Sequence, residues 1–251
     1  MALWPFLLLA FFGLTAQRDP ILVPEVSQHE VQVRQGFTGK ELLLFGAILD
    51  PDGTRGGGDY DIVVVLKGPT EAIRLREKQK VFGIWLNAES TGFRSAPSYF
   101  AMASSRPIGE IVDERTAAIY ELGLDFLQLS PIGTIDPQEQ DRFKAGLVDL
   151  RSRKGLFGQQ DNGVTMSEDV LYQARITLPS SVQTGTYTAE TFAIRGGRVI
   201  ASATAHVDVR KEGFERFVAD TAMNSPVLYG LFAMALSVFM GWLAGRLFSL
   251  G

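Results

Sequence analysis

The amino-acid sequence predicts a mainly β-sheet domain with a helical insertion, followed by one C-terminal transmembrane helix. Three observations lead to this fold class. Short apolar segments, alternating or continuous, dominate the first hundred residues and return after residue 170. Helix-start and helix-stop signals cluster between residues 106 and 163. An uncharged apolar stretch long enough to cross a bilayer lies close to the C-terminus.

The first 16 residues read MALWPFLLLAFFGLTA and resemble a signal peptide. A short apolar core is followed by the small residues Thr15 and Ala16 and then by polar residues, as in segments that are removed after export. No basic residue precedes the core, and Leu14 stands where a small residue is preferred. An uncleaved N-terminal membrane helix is therefore the alternative interpretation.

A first block of strands is predicted before residue 104. Residues 29–34 alternate, and His29 shares one face with Val31 and Val33, which places this histidine at the core or at a sheet edge. Further strands are predicted over residues 41–49, 62–66, 73–78, 82–87 and 98–103. The runs at 41–49 and 62–66 are continuously apolar, which is typical of strands covered on both faces.

The helical insertion contains one strong helix signal. Residues 116–122 have a helical pattern, and residues 137–154 form the stronger candidate. Asp136 can cap the second helix, a proline follows it, and Glu139 completes a capping box. Basic residues in the last turn and Gly155 directly after them mark its end.

A second block of strands follows the insertion. Strand patterns return over residues 170–178, 186–195 and 198–210. Gly196 and Gly197 separate the last two strands and predict a tight hairpin. About eight strands in two blocks fit an immunoglobulin-like β-sandwich with residues 106–163 inserted. Two small β lobes joined by helices are the alternative.

The C-terminal apolar run predicts a membrane anchor. Residues 226–248 include the uncharged sequence VLYGLFAMALSVFMGWLAG, which suffices for one spanning helix. Residues 211–225 form a juxtamembrane linker, either a short interfacial helix or an extension that breaks before Pro226. Arg246 favours a cytoplasmic C-terminus. The predicted order is a signal peptide over residues 1–16, a periplasmic domain over residues 17–210, the linker and the transmembrane helix.

Small residues recur along the predicted membrane helix. Ala233, Ser237, Gly241 and Gly245 are spaced four residues apart, which places them on one face. Small residues let a second helix approach closely, and Gly241 and Gly245 form a Gly-x-x-x-Gly pair. This face is the candidate contact with another membrane protein or a second copy, although ordinary membrane-helix composition explains the pattern equally well.

Composition excludes several classes of function. The chain has no cysteine, which excludes disulfides, thiol catalysis, iron–sulfur clusters and a lipid-modified cysteine. The net charge of −4 argues against a nucleic-acid partner. The mean hydropathy of +0.09 argues against several membrane spans. No catalytic, cofactor-binding or metal-ligating residues are assigned, because neither histidine has a suitable context and no serine lies in a nucleophile motif.

One short segment is a candidate anion contact. Ser104, Ser105 and Arg106 come directly before Pro107, at the predicted start of the helical insertion. Hydroxyl, guanidinium and free backbone N–H groups near a helix start can bind an anion. The alternative is that these residues simply begin the helix.

Several stretches resemble a known family. They are GFTGKELLLFGA, DIVVVLKGP, KVFGIWLN, APSYFAMASSRP and LPSSVQTGTYTAE. Together they are similar to an uncharacterised alphaproteobacterial family of transmembrane proteins. The resemblance covers nearly the whole chain and implies an inner-membrane protein with a periplasmic domain. It also implies an association with neighbouring sulfite-exporter-type permeases, and it assigns no site residues.

The sequence therefore favours a non-enzymatic accessory protein of the bacterial inner membrane that binds another membrane protein. One alternative is a periplasmic binding module for a small anion or an envelope polymer. A second alternative is an enzyme of unrecognised type.

Overall fold

The structure is a computed structural model that describes residues 20–33, 37–49, 60–168, 170–211 and 221–248. The predicted signal peptide and most of the predicted linker lie outside the described residues.

Strands account for most of the described domain, in agreement with the predicted fold class. The strands before the insertion are β1 Ile21–Val26, β2 Glu30–Val33, β3 Gly39–Leu49, β4 Asp61–Lys67, β5 Thr70–Val81, β6 Ile84–Pro97 and β7 Phe100–Ser104. The later strands are β8 Ser130–Pro131, β9 Phe157–Gln160, β10 Val164–Ser167, β11 Leu171–Pro179, β12 Gly185–Arg195 and β13 Arg198–Lys211. The helices are α1 Ile108–Ile111, α2 Glu114–Tyr120, a 3-10 turn Leu124–Phe126, α3 Pro137–Arg153 and α4 Pro226–Phe248.

Strands from before and after the helical insertion pair with one another. One sheet has the order β1-β3-β11-β10, and a second has the order β2-β13-β12-β4-β7-β9. Strand β11 pairs antiparallel with β3, and β12 pairs antiparallel with β4. The alternative of two separate β lobes is therefore wrong, because each block supplies strands to both sheets.

The two sheets share one hydrophobic core. Tyr172 on β11 is 1% exposed, and its hydroxyl lies 3.3 Å from the hydroxyl of Thr191 on β12. This hydrogen bond therefore joins the first sheet to the second. The helical insertion contributes to the same core, since Tyr120 of α2 contacts Phe192 edge-on at 5.6 Å between ring centroids.

Strand β4 is covered on both faces, as its continuous apolar run predicts. All five residues from Ile62 to Leu66 are fully buried. The same prediction is wrong for β3, where burial alternates and Phe45 and Leu49 are 37% and 49% exposed. One face of β3 lies on the core, and the other is partly open.

Helix α3 confirms the strongest local prediction. The Asp136 carboxylate accepts a hydrogen bond from the Gln138 backbone N–H at the first turn. Gly155 follows the helix with φ of +68°, a conformation that glycine adopts without strain. The buried side chains Phe143 and Leu147 attach the helix to the core.

Two predicted short strands belong instead to one long hairpin. Strands β5 and β6 pair from Thr70 opposite Pro97 to Val81 opposite Ile84. Phe82, predicted as the first residue of a strand, occupies the two-residue turn with Gly83. Strand β8 adds a short edge to this third sheet.

His29 differs from its predicted placement. It precedes β2, its side chain is 71% exposed, and its Nε2 lies 3.0 Å from the Glu25 carboxylate. Val31, two residues later, is fully buried. The alternation thus begins only inside the strand, after the chain has turned out of β1.

Candidate functional site

The first candidate site is the surface of α4. The segment Pro226–Arg246 is long and apolar enough to cross a membrane, and none of it is buried inside the described protein. At about 1.5 Å per residue its 21 residues extend about 31 Å, close to the thickness of a bilayer's hydrocarbon core. Tyr229 near one end and Trp242 and Arg246 near the other suit the two membrane–water interfaces.

The small residues of α4 form an open face. Ala233, Ser237, Gly241 and Gly245 are all exposed, and an added Cβ at either glycine would meet nothing within 4 Å. The Ser237 hydroxyl donates to the Ala233 carbonyl at 2.9 Å, so its proton is already used within the helix. Close van der Waals packing is thus the attraction that this face offers a second helix.

Gly230 lies on the same face, although the sequence analysis did not single it out. It precedes Gly241 by eleven residues, which is close to three helical turns. An added Cβ at Gly230 also meets nothing within 4 Å. The four-residue spacing used to find the stripe misses such a position, whereas the helical period includes it.

The second candidate site contains Ser104, the last residue of β7, and Ser105 and Arg106, which follow the strand. Ser104 is fully buried, and its hydroxyl has no hydrogen-bond partner within the described part of the chain. The Ser105 hydroxyl donates to Asp61 Oδ1 at 2.8 Å and accepts from the Ile62 backbone N–H at 3.2 Å. Arg106 donates from Nε to Asp61 Oδ1 at 2.9 Å and from Nη2 to Asp61 Oδ2 at 2.5 Å.

Asp61 therefore occupies the position expected for a bound anion. Its two oxygens accept the planar fork of Arg106, a geometry that also suits free carboxylates and phosphates. The hydrogen bond from Arg106 lowers the pKa of the Asp61 carboxyl, although burial opposes the shift. An external anion at this position would have to displace Asp61, and the geometry favours a clamp between β4 and β7.

A third polar cluster, which the sequence does not predict, contains one lysine and two glutamates. The Lys67 ammonium, at the end of β4, lies 2.7 Å from Glu121 Oε2 and 3.1 Å from Glu190 Oε2. Burial alone would lower the pKa of Lys67, but the hydrogen bonds and charges of the two carboxylates raise it. Glu121 also accepts the Gln128 backbone N–H at 2.9 Å within the helical insertion. The pair between Lys67 and Glu121 therefore attaches the insertion to the sheet.

No sequence signal places these charges together. The members of the third cluster are 54 or more residues apart, and single Lys and Glu residues are common on protein surfaces. Within the described ranges, no group of three or more His, Cys, Asp or Glu residues is arranged to hold a metal ion.

Comparison with known proteins identifies one family. A family model described as "Putative transmembrane protein (Alph_Pro_TM)" matches residues 21–249. No curated protein matches the sequence.

Proposed function

Because the chain belongs to the Alph_Pro_TM family of transmembrane proteins, we propose that it is a membrane-anchored accessory protein. Helix α4 holds a β-rich ectodomain at the bilayer and binds the membrane helix of another protein. The resemblance noted above makes a sulfite-exporter-type permease the first partner to test. The ectodomain lies in the periplasm, and the chain after Arg246 lies in the cytoplasm.

The open small-residue face of α4 carries this proposal. Among the described residues nothing packs on Gly241 or Gly245, and their surroundings leave room for a closely approaching helix. Lipid tails are as apolar as leucine, so the gain from association comes mainly from tight packing of small residues.

The orientation rests on the two ends of the chain. The first 16 residues resemble an export signal, and all 28 acidic residues lie between that segment and the membrane helix. Arg246 follows the apolar run, and basic residues beside a membrane helix are enriched on the cytoplasmic side.

We also infer that the ectodomain is an immunoglobulin-like sandwich. In chain order, β1, β3, β4, β10, β11, β12 and β13 take the places of strands A to G, with sheets A-B-E-D and G-F-C. Tyr187, near the start of β12, is fully buried, and its hydroxyl donates to the Gln183 carbonyl at 2.8 Å. This contact matches the tyrosine corner of that fold. Burial raises the pKa of Tyr187 to about 12, which keeps the phenol protonated as a donor.

The proposed function is tested by substitutions on the open face. Gly241→Leu or Gly245→Leu should weaken association with the partner by about 1–2 kcal/mol, roughly tenfold, since leucine holds the helices apart. An added Cβ at either glycine meets nothing within 4 Å among the described residues, and the helix packs on no part of the ectodomain described here, so the fold of this chain should be unaffected. The measurement is co-purification of the full-length protein from native membranes at matched expression.

Phe239→Leu is the matched control, because position 239 lies on the opposite side of α4 beside Trp242. It should leave co-purification unchanged. If the glycine variants and the control retain equal amounts of partner, α4 is only an anchor and the proposal fails.

A further inference from the structure

The turn of the β5–β6 hairpin exposes a cluster of apolar side chains. We refer to Val81, Phe82, Ile84, Trp85 and Leu86 as the hairpin tip. Their exposed fractions are 38%, 101%, 65%, 64% and 50%, in that order. Val81 and Ile84 share one face of the hairpin and Trp85 lies on the other, so exposed apolar side chains surround the turn. Large apolar side chains gathered at an exposed site mark a contact with a membrane or another protein.

The backbone of the hairpin tip is strained, and the stability of the domain does not account for this strain. Phe82 has φ of +47° and Gly83 has φ of +87°, so the turn is left-handed at both positions. Asparagine or glycine normally occupies the first of these, and a phenylalanine there costs backbone strain. A strained and fully exposed aromatic residue is explained by a contact outside the domain.

Basic side chains flank the tip on one face of β5. Arg74, Arg76, Lys78 and Lys80 alternate along the strand and are exposed. No ion pair involving these four is formed with a described residue. Lys80 lies directly opposite Trp85, so a cation and an indole share one face beside the turn.

The acidic residues of the hairpin are already paired. Arg142 of α3 lies 3.4 Å from the Glu77 carboxylate and also pairs with Glu89. Positive charge therefore predominates beside the tip, which complements an anionic surface.

The hairpin begins at the end of the sheet from which the chain leaves for the membrane. Thr188 of β12 pairs with Lys67 on one side and with His206 on the other, so β4 and β13 finish at the same end. Two backbone hydrogen bonds connect the β4–β7 ladder to the β5–β6 ladder. The Gly68 N–H donates to the Tyr99 carbonyl at 2.8 Å, and the Ser98 N–H donates to the Pro69 carbonyl at 2.9 Å. The β5–β6 ladder thus continues the β4–β7 ladder beyond that end.

Lengths allow the tip to reach the bilayer. The ten positions from Lys211 to Thr221 extend at most about 35 Å, and the helical residues from Thr221 to Pro226 add about 8 Å. The connection therefore reaches at most about 43 Å. From Thr70 to Val81 the hairpin extends about 37 Å at about 3.4 Å per residue.

We propose that the hairpin tip inserts into the interfacial region of the same anionic bilayer that holds α4. Phe82, Ile84 and Trp85 enter the acyl boundary, and Lys78 and Lys80 bind lipid phosphates. Tryptophan and lysine are the side chains that suit this interface, since each combines an apolar body with a polar end. The proposal needs α4 in the membrane but does not depend on a partner for the small-residue face.

The absence of cysteine allows a site-specific test on the full-length protein. In the Phe82→Cys variant the thiol is labelled with a small nitrobenzoxadiazole probe, whose aromatic ring takes the place of the phenyl ring of Phe82. Arg198→Cys is the matched control, because it lies exposed beside the Gly196-Gly197 turn at the opposite end of β13. Both proteins are reconstituted into phosphatidylethanolamine–phosphatidylglycerol liposomes. Nitroxide-labelled lipid should quench the probe at position 82 and not at 198, whereas aqueous iodide should quench mainly the probe at 198.

A second set of variants tests the recognition chemistry. In the protein labelled at position 82, Lys80→Gln should lower the ratio of inserted to free tip about fivefold, because one basic contact with an anionic membrane surface is worth about 1 kcal/mol. Ile84→Ser should lower it by a similar factor without changing the thermal unfolding of the sandwich, because Ile84 is 65% exposed and is not among the described residues that pack against the core. Liposomes of phosphatidylcholine alone should show the weakest insertion.

Three results would overturn the proposal. The first is equal access of iodide to both probes, with no quenching by lipid. The second is protection of position 82 in native membranes but not in pure lipid, which would assign the tip to a protein partner. The third is insertion that is equal in neutral and anionic liposomes.

Discussion

Gly46 is the position where the smallest change should most disturb the sandwich. A Cβ added there would lie 2.2 Å from the Val23 carbonyl oxygen and 2.5 Å from the Tyr172 hydroxyl. The first obstacle is the backbone of β1, which cannot rotate away because β1 is paired directly with β3. The second is the side chain that bonds to Thr191 in the opposite sheet.

The expected magnitude follows from these two contacts. Overpacking in a core costs about 1–3 kcal/mol, and loss of the buried Tyr172 hydrogen bond adds about 1 kcal/mol. Gly46→Ala should therefore destabilise the domain by about 3 kcal/mol. At about 2–4 °C per kcal/mol for a domain of this size, the melting temperature should fall by about 6–12 °C.

Gly146→Ala is the matched control. It makes the same chemical change in the exposed interior of α3, where an added Cβ meets nothing within 4 Å. There alanine should stabilise the helix by about 0.5–1 kcal/mol. Thermal unfolding of the detergent-solubilised full-length protein, followed by near-UV circular dichroism, compares the two. A Gly46→Ala protein that melts as the unmodified chain does would refute the packing of β1, β3 and Tyr172 described here.

Two further predictions concern orientation and the Asp61 clamp. A reporter that functions only in the cytoplasm should be active when it is fused after Gly251, and a reporter that functions only in the periplasm should be inactive there. The reverse result would contradict the proposed topology. Asp61→Asn should lower the free energy of unfolding at pH 7 by about 1 kcal/mol, because Arg106 is half exposed and its pairing is screened. Since the folded-state pKa of Asp61 is lowered, this stabilisation is present above the ordinary carboxyl pKa and is lost as pH falls below about 4. Denaturant titrations should thus show a larger difference between the two proteins at pH 7 than at pH 3, and a difference of equal size at both pH values would exclude the ion pair as its cause.

Local signals predicted the parts of the fold that local chemistry determines. Asp136, the following proline and Gly155 define α3 through its own caps, and the observed helix Pro137–Arg153 ends within one residue of the prediction. Gly196 and Gly197, with φ of +57° and +79°, form the predicted turn between β12 and β13. In each case the deciding contacts lie a few residues apart in the chain.

The sequence predicts two separate short strands in place of the β5–β6 hairpin, because the turn of this hairpin has an unusual sequence. Glycine occupies only the second turn position, and Phe82 at the first continues the apolar pattern of the next strand. Sequence patterns identify a tight turn by residues that adopt positive φ cheaply. A phenylalanine retained there against that preference gives no turn signal, although it is the feature that draws attention to the tip once the structure is known.

The polar clusters could not be predicted because they depend on strand register. Asp61 and Arg106 are 45 residues apart and meet since β4 and β7 are neighbours in one sheet. Lys67 reaches Glu190 because β12 lies on the other side of β4. The anion contact at Ser104, Ser105 and Arg106 therefore stays a prediction, and the carboxylate that pairs with Arg106 in the structure comes from a distant strand.

The tether changes how strongly the hairpin tip has to bind. A module held by a linker of this length experiences an effective concentration of its target in the millimolar range. An attachment as weak as that of one myristoyl chain, with a dissociation constant of about 0.1 mM, would then be mostly occupied. A few apolar side chains and two lysines suffice on this scale, so the tip need not be a large insertion loop. Two attachments to one bilayer, α4 and the tip, would restrict the tilt of the sandwich and present the same side of the domain to any membrane partner of α4.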